Sequence, residues 1–307
     1  SKPAVTGSSP VGRAISPISC RSCCYRPLPG PALCWRAFNL VRRGRCIVGL
    51  PHAGVTALSH PLMNTVARSR CLLLAMGLGL AVQASANAPV IAVYRGEAGC
   101  PGCSEAVEQA IHRSRPDYHV VFVGPGEAVD VDSLATSRYR AYVQPGGGQD
   151  IDAAMAAVGE EGAAVIRRFV DAGGTYIGLC MGAYLAGASH LGLLAQDLDA
   201  EAGRPGFPVQ DEDDAVIPVV WDGRRQTVYF QDGPYLPKAP RDQGFKVISR
   251  YTSGDIAAAS YRHGKGRVVL SGPHPEAPTQ WFKMAEIPLS QIPSADLFKS
   301  LLDEDRR

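Results

Sequence analysis

The chain has 307 residues, of which 31 are basic and 29 acidic, and its formal net charge is +2. The charges are unevenly spread, because the first acidic residue is Glu97 whereas ten basic residues precede residue 87. From residue 87 onward, 21 basic and 29 acidic residues give a net charge of −8. Such an acidic segment lacks the basic footprint of a nucleic-acid-binding protein, so no nucleic-acid partner is predicted.

Residues 63–86 have the three-part layout of a secretory signal peptide. A short basic region, 63–70, precedes an apolar run, 71–82, and a small-residue cleavage site ending at Ala86. The alternative is a membrane span, but the apolar run is well short of the ~20 residues that cross a bilayer. We expect cleavage to leave Asn87 as the first residue of an exported protein, periplasmic or secreted, with no stable membrane insertion.

Residues 1–62 lie upstream of this signal peptide, where a functional signal does not tolerate them. They contain five cysteines, no acidic residue and no sustained apolar period. Our hypothesis is that they are a disordered, non-native upstream translation and that the true start is Met63. The competing interpretation is a zinc-binding or disulfide-rich leader. It is disfavoured because Cys20, Cys23 and Cys24 lack a second pair at zinc-knuckle spacing.

Residues 87–307 are enough for one α/β domain. Continuous apolar runs, typical of strands covered on both faces, alternate with helix-like stretches. The predicted strands of this first part are 90–94, 119–123, 139–143 and 175–179, and the predicted helices are 104–112 and 159–172. This alternation favours a doubly wound, mostly parallel, flavodoxin-like sheet.

After Leu194 the pattern changes to short runs broken by turns. The predicted strands here are 216–221, 226–230, 245–248, 256–259 and 267–271, with hairpin turns at 222–223 and 263–266 and a closing helix over 294–303. They predict a C-terminal antiparallel excursion that returns to the main sheet.

The sharpest local motif is Gly-Leu-Cys-Met-Gly at residues 178–182, between an apolar strand and a small-residue stretch. Glycines two positions on either side of a nucleophile are typical of a nucleophile elbow, where a strained turn brings other backbone close. Placing Cys180 at a helix N-terminus favours its thiolate. The alternative is a buried cysteine in a glycine-rich turn.

His274 and Glu276 follow the strand predicted at 267–271. A thiol nucleophile needs a base, and the base needs a third group that fixes its orientation. His274 has a carboxylate two residues on, whereas the other histidines are interpreted as solvated or satisfied. Those are His112, His119, His190 and His263.

A glycine run at residues 146–148 follows the third predicted strand. An oxyanion hole needs backbone N–H groups aimed at a developing negative charge, and glycine supplies the backbone freedom. The N–H groups of Gly147 and Met181 are the predicted pair. A phosphate-binding loop is disfavoured because the Lys and Ser/Thr of such loops are missing.

Together these three motifs resemble the class I glutamine amidotransferase superfamily, in which a Pro-Gly-Gly turn, a Gly-x-Cys-x-Gly elbow and His-Pro-Glu occur in this order. More narrowly, residues 178–187 and 231–235 look like the biotin-protein ligase N-terminal domain family. The resemblance implies a Cys180–His274–Glu276 triad with Gly147 and Met181 as the oxyanion donors. Gly148 and Tyr235 are further candidates for lining the site. No biotin-ligase catalytic domain or fused ammonia acceptor is recognised here, so neither biotin ligation nor glutamine as substrate is implied.

Cys100 and Cys103 lie where the first strand meets the first helix. In an oxidising compartment this spacing indicates a small structural disulfide, and the alternative is a redox-active pair. Loops after different parallel strands converge at one edge of the sheet, so both cysteines are expected near Cys180. Glu97, in the same loop, is a further candidate for lining the site.

The sequence therefore predicts an exported cysteine hydrolase or amidase that acts on a small amide or ester, with no cofactor and no metal. The alternatives are an idle amidotransferase-like fold that binds a ligand, and a thiol-redox protein that works through Cys100 and Cys103. The substrate and any protein partner are not predicted.

Overall fold

The structure, a computed structural model, describes residues 88–136, 138–240 and 244–306. The predictions for residues 1–62 and for the signal peptide at 63–86 lie outside the described residues and stay predictions. Within the described ranges, no helix has the length and apolar character needed to cross a membrane.

Eleven strands and five α-helices are found in the described part of the chain. The strands are β1 (Val90–Tyr94), β2 (His119–Val123), β3 (Tyr139–Gln144), β4 (Thr175–Leu179), β5 (Asp199–Ala200), β6 (Ala215–Trp221), β7 (Arg224–Phe230), β8 (Pro234–Tyr235), β9 (Lys246–Tyr251), β10 (Ile256–His263) and β11 (Gly266–Ser271). The helices are α1 (Cys103–Ser114), α2 (Ile151–Asp171), α3 (Met181–Tyr184), α4 (Thr279–Met284) and α5 (Phe298–Asp303), and 3-10 turns lie at Val131–Thr136, Leu289–Gln291 and Glu304–Arg306.

Nine strands form one sheet in the order β2-β1-β3-β4-β11-β10-β9-β6-β7. The first five run parallel to one another. The last four continue the sheet in antiparallel pairs that begin at β11. The fold prediction is confirmed, and the excursion is hydrogen-bonded directly into the main sheet.

Both faces of the sheet are covered, and the central strands carry apolar side chains on both faces. In β1, Ala92 and Tyr94 belong to one apolar core, which also contains Ile166 of α2. Ile91 and Val93 belong to the other, which α1 and α5 cover. Burial on both faces explains why such strands are continuous apolar runs.

The helix predicted from residue 159 begins earlier, at Ile151, where the Asp150 side chain accepts a hydrogen bond from the Ala153 N–H. Gly159 has φ 73° and interrupts the helical path instead of starting it. The sequence pattern placed the boundary at the glycine because glycine is unfavourable inside helices.

Candidate active site

The site lies at the edge of the sheet where the parallel strands end. Cys180 follows β4, the glycine run 146–148 follows β3, and His274 follows β11. In open α/β sheets this edge is the usual position for ligand sites, because successive loops converge there.

Cys180 occupies a sharp turn between β4 and α3. Its φ of 48° and ψ of −110° lie in a region that non-glycine residues seldom adopt. The turn is fixed by hydrogen bonds from the Cys180 N–H to Ser271 O at 2.8 Å and from the Ala183 N–H to Cys180 O at 2.8 Å. Strained backbone of this kind persists only where the surroundings over-determine it.

The two glycines of the motif are required by close backbone packing. A β-carbon on Gly178 would collide with the carbonyl of Gly182, and one on Gly182 would collide with the carbonyl of Gln144. The Tyr176 hydroxyl also donates to Gly182 O at 2.6 Å. The turn therefore packs against the end of β3 with no room for side chains at these positions.

His274 and Glu276 form a buried pair, with 2.8 Å between His274 Nδ1 and Glu276 Oε1. The exposed fractions of the two residues are 5% and 1%. The His274 N–H donates to Tyr229 O at 2.8 Å, which ties the loop after β11 to β7. Trp281 meets the imidazole edge to face, with ring centres 5.3 Å apart. The ring is thus held on its Glu276 side and along one face.

The imidazole of His274 lies beside the Cys180 thiol. Gly146 contacts both, since a β-carbon there would lie 2.9 Å from His274 Cε1 and 3.9 Å from Cys180 Cβ. Burial disfavours the imidazolium, but the negative charges of Cys180 and Glu276 outweigh it and hold the pKa of His274 well above its ordinary value. Among the described residues His274 Nε2 has no hydrogen-bond partner, and Cys180 Sγ donates to Gln231 O at 3.3 Å.

The two predicted oxyanion donors lie next to each other. A β-carbon on Gly147 would collide with the Met181 side chain. Within the described residues, the N–H groups of Gly147 and Met181 donate to no protein acceptor. Both residues line the space beside Cys180, and their role as donors to a substrate stays a prediction.

Two clefts meet at this point and share Gly147 and Gln231. The first, which we call the histidine cleft, has an empty volume of about 480 Å³ that includes open solvent. It is lined by Cys100, Pro101, Cys103, Gly146, Gly147, Asp214, Tyr229, Gln231, His274, Trp281 and Met284. The second, the cysteine cleft, has an empty volume of about 280 Å³, also open to solvent, and is lined by Gly147, Gly148, Gln149, Ile151, Cys180, Met181, Tyr184, Gln231 and Asp232.

Cys100 and Cys103 form a disulfide that lines the histidine cleft. The Cys100 N–H donates to Gly146 O at 3.0 Å, so the disulfide loop supports the glycine run. Cys180 is the one free cysteine in the described part of the chain.

This pairing predicts which thiols react in the full chain. The protein is denatured without reductant and treated with iodoacetamide, then reduced and treated with N-ethylmaleimide, and its peptides are mapped by mass. We expect acetamide on Cys180 and maleimide on Cys100 and Cys103. Acetamide on Cys100 or Cys103 with Cys180 protected would mean that Cys180 is tied up in a disulfide.

Two of the predicted site-lining residues lie elsewhere. Glu97 is exposed and lines neither cleft. Its neighbour Ala98 is buried, with its carbonyl accepting a hydrogen bond from Gln144 Nε2 at 2.6 Å, so the loop directs Glu97 outward. Tyr235 pairs within the small β5–β8 ladder, under the Arg204 guanidinium, whose carbon is 3.9 Å from the ring centre.

Sequence reasoning missed several residues of the clefts, chiefly Tyr184, Asp232 and the aromatic pair Tyr229 and Trp281. The motif at 231–235 marked the right segment, but the residues that reach the site are its first two, Gln231 and Asp232. The backbone carbonyl of Gln231 accepts a hydrogen bond from Cys180 Sγ. The backbone carbonyl of Asp232 accepts one from the Tyr184 hydroxyl.

Residues 90–193 match the family model described as Biotin-protein ligase, N terminal. The predicted resemblance to this family is confirmed over that segment. A curated relative, the biotin–protein ligase of Schizosaccharomyces pombe (strain 972 / ATCC 24843), is 32% identical over 136 residues. This match covers 36% of the present chain and 22% of the relative, so the chain spans about a fifth of the length of that protein.

Among solved structures, a crystal structure of a glutamine amidotransferase has a TM-score of 0.44 and 18% identity, covering 64% of this chain and 99% of that one. A β-galactosidase from Bacillus circulans sp. alkalophilus has a TM-score of 0.40 and 13% identity, covering 70% of this chain and 30% of that one.

Proposed function

We propose that this protein is a cysteine-dependent hydrolase or amidase that acts on a small amide or ester. The observation that carries the proposal is a free cysteine in a strained strand-to-helix turn, beside a buried histidine that is oriented by a carboxylate at 2.8 Å. A nucleophile, a base and an orienting group in this relation are the elements of a catalytic triad.

In the proposed reaction the thiol proton is held by His274 as the imidazolium that its raised pKa favours, and Cys180 Sγ, as the thiolate, attacks the carbonyl carbon of the substrate. The negative charge that develops on the carbonyl oxygen is stabilised by the N–H groups of Gly147 and Met181. The C–N or C–O bond then breaks, and the imidazolium gives its proton to the leaving group. Water, deprotonated by His274, hydrolyses the thioester to the free acid and restores the thiol.

Glu276 would act through His274. Its Oε1 fixes the Nδ1 side of the ring, which leaves Nε2 for the thiol and for the leaving group. The direction of the His274 pKa, raised by the charges of Cys180 and Glu276, supports this role, because the proposed mechanism requires an imidazolium at this position.

A ligand-binding protein without turnover is the second candidate. One observation favours it: Cys180 is buried, with 8% of the residue exposed, and its thiol donates to Gln231 O. Hydrogen bonds of catalytic groups are often misaligned before substrate binds, so this contact alone does not decide between the two.

A panel of small 4-nitrophenyl esters and 4-nitroanilides tests the proposal. We expect turnover by the full chain and a loss of about 1,000-fold or more in kcat/KM for Cys180→Ala, because the covalent route is removed. His190→Ala is the control, since it removes an imidazole that is paired with Asp152 and lines neither cleft. Equal turnover by the wild type and Cys180→Ala would leave the binding function as the better account.

A further inference from the structure

The two clefts differ in chemistry, and the proposed function dictates which part of a substrate enters each. The acyl group stays bonded to Cys180 Sγ in the thioester, so it occupies the cysteine cleft. The leaving group takes its proton from His274, so it occupies the histidine cleft. His274 Nε2 is unpartnered among the described residues and belongs to a residue that is only 5% exposed.

The cysteine cleft contains one charged side chain, that of Asp232, among its described lining residues. Asp232 has φ 44°, and its carbonyl accepts a hydrogen bond from the Tyr184 hydroxyl at 3.1 Å. The Asp232 side chain interacts with that of Gln149, a second lining residue of the cleft that also contains Cys180. Within the described residues it makes no ion pair, and no lysine or arginine lines either cleft.

The surroundings of Asp232 oppose its charge. The pKa of Asp232 is raised to about 6. Burial is the largest cause, and the negative charges of Glu212 and, less strongly, Asp199 act in the same direction, whereas a hydrogen bond with the Gln149 side chain lowers the pKa. The carboxylate is still ionised at pH 7.5, and a partly buried carboxylate among negative neighbours is stabilised by a bound cation. The same field repels a substrate whose acyl part carries a free carboxylate.

The histidine cleft is also lined by one acidic residue, Asp214, but one of its walls is apolar. Tyr229, Trp281 and Met284 line it, and Met284 is 49% exposed. Aromatic rings and a methionine side chain bind flat apolar groups well. This wall suits an apolar leaving group.

We propose that the substrate is an aminoacyl amide or ester. Its acyl part carries a primary ammonium bound by Asp232, and its leaving group is apolar and packs on Tyr229 and Trp281. Asp232 is then a specificity-determining residue next to the nucleophile. The proposal rests on the proposed function for its assignment of the two clefts.

Thiol-modifying reagents of different charge test Asp232 without requiring hydrolysis. Methanethiosulfonates react with a thiolate to form a mixed disulfide and release methanesulfinate. The full chain is treated at pH 7.5 with the 2-aminoethyl, propyl or 2-sulfonatoethyl reagent, and the peptide containing Cys180 is quantified by mass. After normalisation to a neutral small thiol, we expect the cationic reagent to be at least about tenfold faster than the neutral one, and the anionic reagent to be slower.

The Asp232→Asn variant should bring the cation-to-neutral ratio close to one. Asparagine tolerates positive φ, so the backbone at this position is preserved. Asp213→Asn is the matched control. It also removes one carboxylate, but Asp213 is exposed and lines neither cleft. A ratio that falls equally in both variants, or one that Asp232→Asn leaves unchanged, would overturn the role of Asp232.

Hydrolysis of two matched substrates provides a second test of the proposal. β-Alanyl 4-nitroanilide and butanoyl 4-nitroanilide differ only in an ammonium in place of a methyl group. We expect kcat/KM to favour the first at least tenfold, and Asp232→Asn to remove that preference while sparing the second. No turnover of either, with charge-selective modification of Cys180 intact, would count against the proposed hydrolase and leave an ammonium-binding cleft. Equal turnover of both would contradict the substrate class.

Discussion

His274→Ala should slow the alkylation of Cys180 by iodoacetamide at pH 6.5 about tenfold or more. The pKa of His274 lies above its ordinary value because the negative charges of Cys180 and Glu276 outweigh burial. The imidazolium is therefore present at pH 6.5 and is lost only as the pH rises through that raised pKa. We expect this positive charge to assist the attack of the Cys180 sulfur on the reagent, so its removal should slow the reaction. A free cysteine, with a pKa near ~8.5, is only about 1% thiolate at this pH.

The measurement is the rate of carbamidomethylation of the Cys180 peptide from pH 5 to pH 9. The midpoint of the rate profile should move upward in His274→Ala, and by a smaller amount in Glu276→Gln, since that carboxylate acts through the histidine. His263→Ala is a suitable control because its imidazole bonds to Leu193 O, away from the site. A profile that His274→Ala leaves in place would show that the two side chains are not coupled, and the triad would lose its support.

Gly178→Ala should lower the free energy of unfolding by about 2–4 kcal/mol, as overpacking in a rigid interior does. The added methyl group would collide with the backbone carbonyl of Gly182, which also accepts the hydrogen bond from Tyr176. The Gly182 carbonyl is backbone and not the free end of a flexible side chain. The collision can therefore be relieved only if the strained turn at Cys180 moves. Urea unfolding followed by tryptophan fluorescence measures the loss.

Gly148→Ala is the comparison for this variant. A β-carbon at Gly148 has no heavy atom within 4 Å, and the backbone has no positive φ. Its stability should stay within about 0.5 kcal/mol of the wild type. Equal stability of the two alanine variants would mean that Gly178 is not needed for the approach of Gly182.

The sequence predicted those parts of the fold whose signal is local. The bounds of β1, β2 and β4 agree residue for residue with the predicted strands, because each is a short, largely apolar run with β-branched residues, whether it is buried like β1 and β4 or lies at the sheet edge like β2. The early start of α2 was missed because Gly159 resembles a helix boundary, whereas it is a break between two helical stretches.

The site was predictable only in part, for the same reason. Cys180, His274 and Glu276 were predicted as site residues from short motifs, and the order of strands brings them to one edge of the sheet. The contact between Cys180 and Gln231, and the position of Asp232, depend on how the chain after β7 crosses the elbow. Glu97 was misplaced because the outward direction of its loop is set by the tertiary contact between Ala98 and Gln144.

The position of β4 has a consequence for biosynthesis. Its second neighbour is β11, which is made only after the whole antiparallel excursion, and the N–H of Cys180 bonds to Ser271 at the end of that strand. Until β11 emerges, one side of β4 is an apolar edge with unpaired amides and carbonyls, the kind of surface that recruits strands from other molecules. Distant pairings of this sort form slowly, since the intervening chain must be ordered first. The turn at Cys180 is therefore completed by the same late pairing that covers this edge of β4.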